Sequence, residues 1–271
     1  MALGYKQKIG QVDWKTTLLW SLNRNKVNQL LPEYTNDELG VTVRLDEMDV
    51  YSMGGAKKRL TVGGSMGDLY ANILRTDEHG HIWLDSKSNT IQTEKNNYIY
   101  VGNTNPKYVL SWRNEFFWRG ISLGFMINAR VGGRGASATQ AVLDYYGVSE
   151  TSAKARDNGG VLVNGYKYDA QSWYQTVGGN GVDFVGSCYI YDMTNVRLGE
   201  LSIGYDIPIN KWCKFIKELN VSLVGRNLLM IYCKAPFDPE TTAGTGTYNQ
   251  GMDYFMQPSL RSMGFSAKVT F

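Results

Sequence analysis

Residues 107–131 read KYVLSWRNEFFWRGISLGFMINARV. Two-residue alternation runs through the whole stretch. Tyr108, Leu110, Trp112, Asn114, Phe116 and Trp118 fall on one side, and Val109, Ser111, Arg113, Glu115 and Phe117 on the other. After Arg119-Gly120 the pattern resumes, with Ile121, Leu123, Phe125, Ile127, Ala129 and Val131 set against Ser122, Gly124, Met126, Asn128 and Arg130. A period of two marks β-strands whose faces meet different environments. The two-residue link predicts a tight hairpin.

The same pattern recurs on both sides of this hairpin. WKTTLLWSL alternates Trp14, Thr16, Leu18, Trp20 and Leu22 against Lys15, Thr17, Leu19 and Ser21, with a weaker strand, MALGYKQKI, before it. NVRLGELSIGYDI and NVSLVGRNLLMIY follow later; the first changes phase near Gly199-Glu200, which predicts a bulge, and the facing of the second is left open. The chain closes with Met263, Phe265, Ala267, Val269 and Phe271 alternating with Gly264, Ser266, Lys268 and Thr270. About seven strands of roughly 9 to 13 residues result, the length of tilted membrane-spanning strands and longer than the globular mode.

The connections alternate in length. Short ones follow Ile9, occupy Arg119-Gly120 and run from Pro208 to Leu219, whereas long ones cover 25–106, 132–193 and 233–259. Outer-membrane barrels have this asymmetry. Trp14, Trp118, Tyr205 and Phe271 gather at the short-turn ends like an interfacial aromatic girdle, and Arg113, Glu115, Arg130 and Lys268 suit a wet lumen. The expectation is an all-β fold, an antiparallel transmembrane β-barrel segment that is an open partial barrel when alone. A soluble β-sandwich, acting as a surface glycan-binding module, is the alternative, because its strands also alternate.

Bulk composition agrees with many strands joined by glycine-rich loops: 18 Tyr, 7 Trp and 30 Gly against 6 Pro in 271 residues. A net charge of +3 gives no reason to expect a nucleic-acid partner. Cys188, Cys213 and Cys233 form no CxxC pair and no disulfide framework. No apolar run is long enough for a transmembrane helix, and MALGYKQKIG lacks the apolar core of a signal peptide. Bacterial single-chain barrels have an even number of strands. Seven strands therefore predict at least one more before Met1, and a larger protein of which 1–271 is the C-terminal part.

Six stretches carry a family resemblance, in order, from about residue 98 onward: YVGNTNPKYVLSWRNEFFWRGISLGFMINARVGG, LDYYGVSETSAKARDNGGV, TNVRLGELSIGYDIP, SLVGRNLLMIY, KAPFDPE and QPSLRSMGFSAKVTF. Together they resemble the C-terminal portion of SusC/RagA-type TonB-dependent outer-membrane transporters. The first hundred residues match only in character, GGSMGDLY best. The resemblance implies a plugged barrel in the outer membrane of a Bacteroidetes-type Gram-negative bacterium. It implies import of oligosaccharides or peptides driven through the TonB complex, a SusD-like surface lipoprotein as lid, and no cofactor. The plug, TonB box and signal peptide have no counterpart in these residues. A C-terminal Phe271 resembles the signal read by the barrel assembly machinery.

Other features point to no enzymatic site. His79 and His81 read as a hairpin tip rather than a metal pair. The glycine clusters VGGSMGDL, VGGRGAS and GTGTYNQG lack the strand-to-helix context of a phosphate loop. Asp238 and Glu240 in FDPE fit a turn better than an acid pair for glycoside cleavage. NKWCKFIKEL spaces its apolar residues like a short amphipathic helix at the membrane surface. Tyr145, Tyr146, Trp173 and Tyr174 on the second long connection are the candidate residues for contact with substrate or lid.

Overall fold

The computed structural model describes every residue except 39, 210–214, 242, 243, 245 and 271. Seven long strands form one sheet: β1 (Ala2–Ile9), β2 (Val12–Ser21), β3 (Tyr108–Trp118), β4 (Ile121–Val131), β5 (Asn195–Ile207), β6 (Glu218–Cys233) and β7 (Ser262–Thr270). Their spatial order equals their chain order, and every neighbouring pair is antiparallel. This is the up-and-down order of a barrel wall. Among the described residues the sheet does not close, and β1 and β7 are its edges.

Cross-strand register fixes the faces. Lys15 stands opposite Glu115, Arg113 opposite Met126, Met126 opposite Glu200, and Glu200 opposite Arg226. Paired residues share a face, so Arg113, Glu115, Arg130 and Lys268 do lie on one side. Ion pairs cross this polar face at mid-height: Lys15–Glu115 at 3.2 Å, Arg113–Glu115 at 2.9 Å and Arg226–Glu200 at 3.4 Å. The opposite face carries Leu3, Trp20, Leu123, Ile203 and Phe265, all exposed. A sandwich would pack a second sheet there; the sheet instead presents a bare apolar surface, as lipid requires. Rings bridge strands on this face, with Trp14 stacked on Phe116 at 6.3 Å and Phe125 edge-on to Trp112 at 5.8 Å.

The bulge falls where the phase changes. Met126 pairs with Glu200 and Ile127 with Leu198, so Gly199 is the extra residue. A second irregularity faces it on β6, where Asn227 adopts φ 52°. Asn tolerates that left-handed conformation better than most residues. Below these bulges, the open question about β6 resolves: Val221 and Leu223 pair with Tyr205 and Ile203 on the apolar face. Half of the NKWCKFIKEL segment, 210–214, lies outside the described residues; the described half is not helical, since Phe215 sits in a turn and Glu218 and Leu219 already belong to β6, and Phe271 is also outside the described residues.

The long connections are not slack. The first holds a four-stranded sheet, Glu47–Met53, Ala56–Thr61, Asp68–Leu74 and Thr93–Asn103, and a separate hairpin of Leu31–Asn36 with Val41–Leu45. The second holds α1 (Ala138–Tyr145), α2 (Glu150–Asp157) and α3 (Ala170–Gly178), with a hairpin of Val161–Val163 and Tyr166–Tyr168. Ser137, Ser149 and Asp169 cap the three helices, each accepting from a backbone N–H three residues on. In the third, Met252–Asp253 runs parallel to Arg134–Ser137, whose other side pairs with Ile190–Asp192.

The apolar core joins these connections. Ala56, Leu69, Ala136, Ala138, Ala141, Val177, Phe184, Val185, Tyr189 and Met252 form one buried cluster, with no member from β1–β7. The wall strands leave their apolar face bare, so burial from water is left to the connections. Gly55 and Gly186 let the first and second connections touch: a Cβ on Gly186 would lie 2.1 Å from the Gly55 carbonyl oxygen. Asn72 seals the contact by accepting from the Gly186 N–H at 2.6 Å.

Candidate functional site

The helices of the second connection enclose a cleft of about 340 Å³, lined by Tyr145, Tyr146, Arg156, Gln171, Tyr174 and Gln175 among others. Its floor is built on Asp144. One carboxylate oxygen accepts from Thr151 Oγ1 at 2.9 Å, from Gln140 Nε2 at 3.2 Å and from Ser149 Oγ. These bonds hold the start of α2 against the end of α1. Tyr145 and Tyr146 meet edge to face, centroids 5.1 Å apart, and Tyr146 Oη donates to Asn180 Oδ1 at 3.2 Å. Arg156 Nη1 donates to the Gly147 carbonyl at 2.6 Å. The turn between α1 and α2 is therefore braced from both sides.

Helix α3 supplies the far wall. Ala170, Gln171, Tyr174 and Gln175 line the cleft, the one-face spacing of a helix. Trp173 is a neighbour of Tyr174 in sequence and points about 100° away from it round the helix. It packs on the buried cluster. Of the four residues singled out from sequence, three line this cleft and Trp173 does not. Tyr146 remains exposed, whereas Tyr174 is shared between cleft and core. Gln171, Gln175 and Arg156 were not anticipated; the i, i+4 spacing of the two glutamines was their signal. The gathered chemistry is aromatic faces, two carboxamides and a guanidinium, groups that hold a polar ligand without bonding to it covalently.

His79 and His81 lie at a hairpin tip, as their spacing suggests. Asp77 Oδ1 accepts from both backbone N–H groups, at 2.9 and 2.8 Å. These amide bonds hold the Asp77 carboxyl below its ordinary range. Asn164, with φ 49°, both accepts from the Ile82 N–H and donates to the Ile82 carbonyl, at 2.9 and 2.8 Å. That pair fastens the second-connection hairpin to the first connection.

FDPE forms a turn and also a clamp. Arg197 Nη2 donates to Asp238 Oδ1 at 2.8 Å, and its Nε lies 3.4 Å from Glu240 Oε1. Asp238 Oδ2 accepts from the Ser259 N–H at 2.9 Å. Burial alone raises the Asp238 carboxyl; hydrogen bonds from Ser259, Glu240 and Arg197 outweigh it and bring the value to about 2. The third connection is thus pinned to β5.

No family model matches the chain. Two curated relatives do, both from Formosa agariphila. The chain is 23% identical to "TonB-dependent receptor P3" and 22% identical to "TonB-dependent receptor P26", over 95% and 96% of its length and 27% of each relative. Among solved structures it resembles the RagAB peptide importer in the open-open state, with a TM-score of 0.62 and 14% identity over 100% of this chain and 28% of that one. The closed-closed state of the same importer gives a TM-score of 0.53 at 15% identity, covering 98% and 28%. The chain spans about a quarter of the length of these proteins. Sequence and fold together bear out the resemblance to SusC/RagA-type TonB-dependent receptors, and with it a place in the outer membrane.

Proposed function

We propose that this chain supplies part of the barrel wall and the outward vestibule of a TonB-dependent nutrient importer. One observation carries the reading. A bare, two-faced antiparallel sheet bears all three long connections at one end, folded together over a shared core. The apolar face meets lipid, the ion-paired face meets the lumen, and the packed connections form the surface that a substrate reaches first. A SusD-like lipoprotein lid, the TonB complex and the barrel assembly machinery are the partners that the resemblance implies for the whole receptor.

The cleft between α1, α2 and α3 is the proposed contact surface for substrate or lid, through Tyr145, Tyr146 and Tyr174. Its carboxamides and tyrosines suit either an oligosaccharide or a peptide. The test is uptake by the full-length receptor carrying Tyr146→Ala and Gln171→Ala. Loss of uptake of one labelled substrate class, with normal surface level, supports the cleft and names its substrate. Unchanged uptake of both classes together with unchanged lid binding discards it.

A further inference from the structure

Asp144 is a charge without a counterpart. It is 5% exposed, and its side-chain hydrogen bonds, from Ser149, Thr151 and Gln140, all end on Oδ1 and all come from neutral donors. Among the described residues no Lys, Arg or His forms an ion pair with it. Asp49, Glu115, Glu200 and Asp238, by contrast, each have a basic partner. Arg156 lines the same cleft, but its Nη1 is spent on the Gly147 carbonyl. A carboxylate held so far from water is costly unless a charge offsets it.

The oxygen left over is Oδ2. It bonds to no described residue, yet it is not sealed off, as the unpartnered Tyr189 Oη is. Asp144 lines the cleft, so this oxygen opens on it. The surrounding hydroxyls feel the charge: burial first, and the Asp144 carboxylate second, push Tyr174, Tyr189 and Tyr191 upward. Tyr145, Tyr146 and Tyr174 stand round the same cleft, and aromatic rings attract cations. A hydroxyl or amide brings only a donor to Oδ2, whereas an ammonium or guanidinium brings a donor and the missing charge.

We infer that the cleft selects a ligand carrying an organic cation, its ammonium or guanidinium donating to Asp144 Oδ2 beside the rings of Tyr145, Tyr146 and Tyr174. The inference rests on the cleft reading above and narrows it. A neutral oligosaccharide lacks the group that a lysine, an arginine or an amino sugar has.

The test uses the purified full-length receptor. Two pairs of fluorescent probes are titrated: acetylated, amidated alanine pentapeptides with a central Lys or Gln, and a glucosamine trimer with its N-acetylated form. In at least one pair the cationic member is expected to bind about tenfold tighter, and that pair names the source of the cation. Asp144→Asn keeps an oxygen for Ser149, Thr151 and Gln140 and removes the charge, so it is expected to bring the ratio to about one. Proteolytic resistance of 138–178 shows whether the variant is folded; where it is lost, the wild-type ratio decides alone. A wild-type ratio near one in both pairs, absence of binding included, overturns the inference. So does a preference that survives in folded Asp144→Asn. If Tyr146→Ala with Gln171→Ala weakens every probe while the wild-type ratios are near one, the cleft stands and only the cation falls. If uptake and lid binding ignore that double variant, the cleft reading itself fails.

Discussion

Arg197 on β5 and Asp238 on the third connection form an ion pair at 2.8 Å, their side chains 5% and 9% exposed. Asn195 Oδ1 and Asn227 Oδ1 also accept from Arg197, at 3.3 and 3.2 Å. Removing one partner of such a pair leaves a buried charge, at a cost of about 3–5 kcal/mol. Asp238→Asn is therefore expected to free the third connection while leaving the wall intact. Limited proteolysis of the full-length receptor checks this, since cleavage should appear between 234 and 261 before anywhere in β1–β7.

The same carboxylate predicts a pH effect. Asp238 is lowered from 3.8 to about 2 in the folded chain. A depressed acid contributes fully above its unfolded value and loses its contribution as pH falls through the folded one, here about 2 kcal/mol between pH 4 and 2. Proteolytic exposure of the third connection by an acid-active protease should rise across that window in wild type, and should not change across it in Asp238→Asn.

Lys58 runs the opposite way. It is 2% exposed on the inward face of its strand, between Ala56 and Leu60, and among the described residues its Nζ donates to the Thr247 carbonyl, at 3.4 Å. Burial lowers its value to about 8. Between about 8 and its unfolded value of 10.5 the unfolded chain holds more protons, so stability rises with pH there. Lys58→Met should stabilise the packed connections by about 1–3 kcal/mol at neutral pH and remove that rise. Hydrogen exchange of residues 56–61 from pH 7 to 10 measures both.

On the lipid side, Trp14 Nε1 donates to Asn114 Oδ1 at 3.1 Å across the β2–β3 pair. Trp14→Phe keeps a ring and removes the donor, leaving the Asn114 carbonyl without its partner. The expected cost is about 1–3 kcal/mol. Unfolding by urea from lipid vesicles should show it, and Trp14→Phe combined with Asn114→Leu should recover most of it.

Gly186→Ala tests the close approach of two connections. Its Cβ would stand 2.1 Å from the Gly55 carbonyl oxygen and 3.0 Å from Ala71 Cβ. Backbone must move to admit it, and a loss of about 2–3 kcal/mol is expected. The readout is faster proteolysis near both 55 and 186, with the wall still heat-resistant.

The wall was legible because its chemistry is local. A period of two needs no knowledge of partners, and the phase slip at Gly199 shows within one strand. The layer above was not. Its core uses small residues, Ala136, Ala138 and Ala141, that meet Leu69 and Met252 from distant parts of the chain. No window of sequence contains that cluster. The cleft was half legible: tyrosines drew attention, but separating Trp173 from Tyr174 required knowing that 170–178 is a helix and which way it turns. Arg197 carries no signal in the sequence, because its partner lies 41 residues away.

Ser137 caps α1 by accepting from the Gln140 N–H and also donates to Asp253 Oδ2 at 2.6 Å, across 116 residues. That one bond, beside the parallel pairing of Ala136 with Met252, makes the order of assembly matter. The hairpin of β3 and β4 can form from neighbours alone, yet the α1 cap meets its second partner only after β5 and β6 have carried the chain there and back. Contacts so far apart in sequence close late, because the intervening chain must be ordered first. The vestibule therefore closes late, and a chain stalled before residue 252 would be expected to carry β1–β6 without either the roof or the last wall strand.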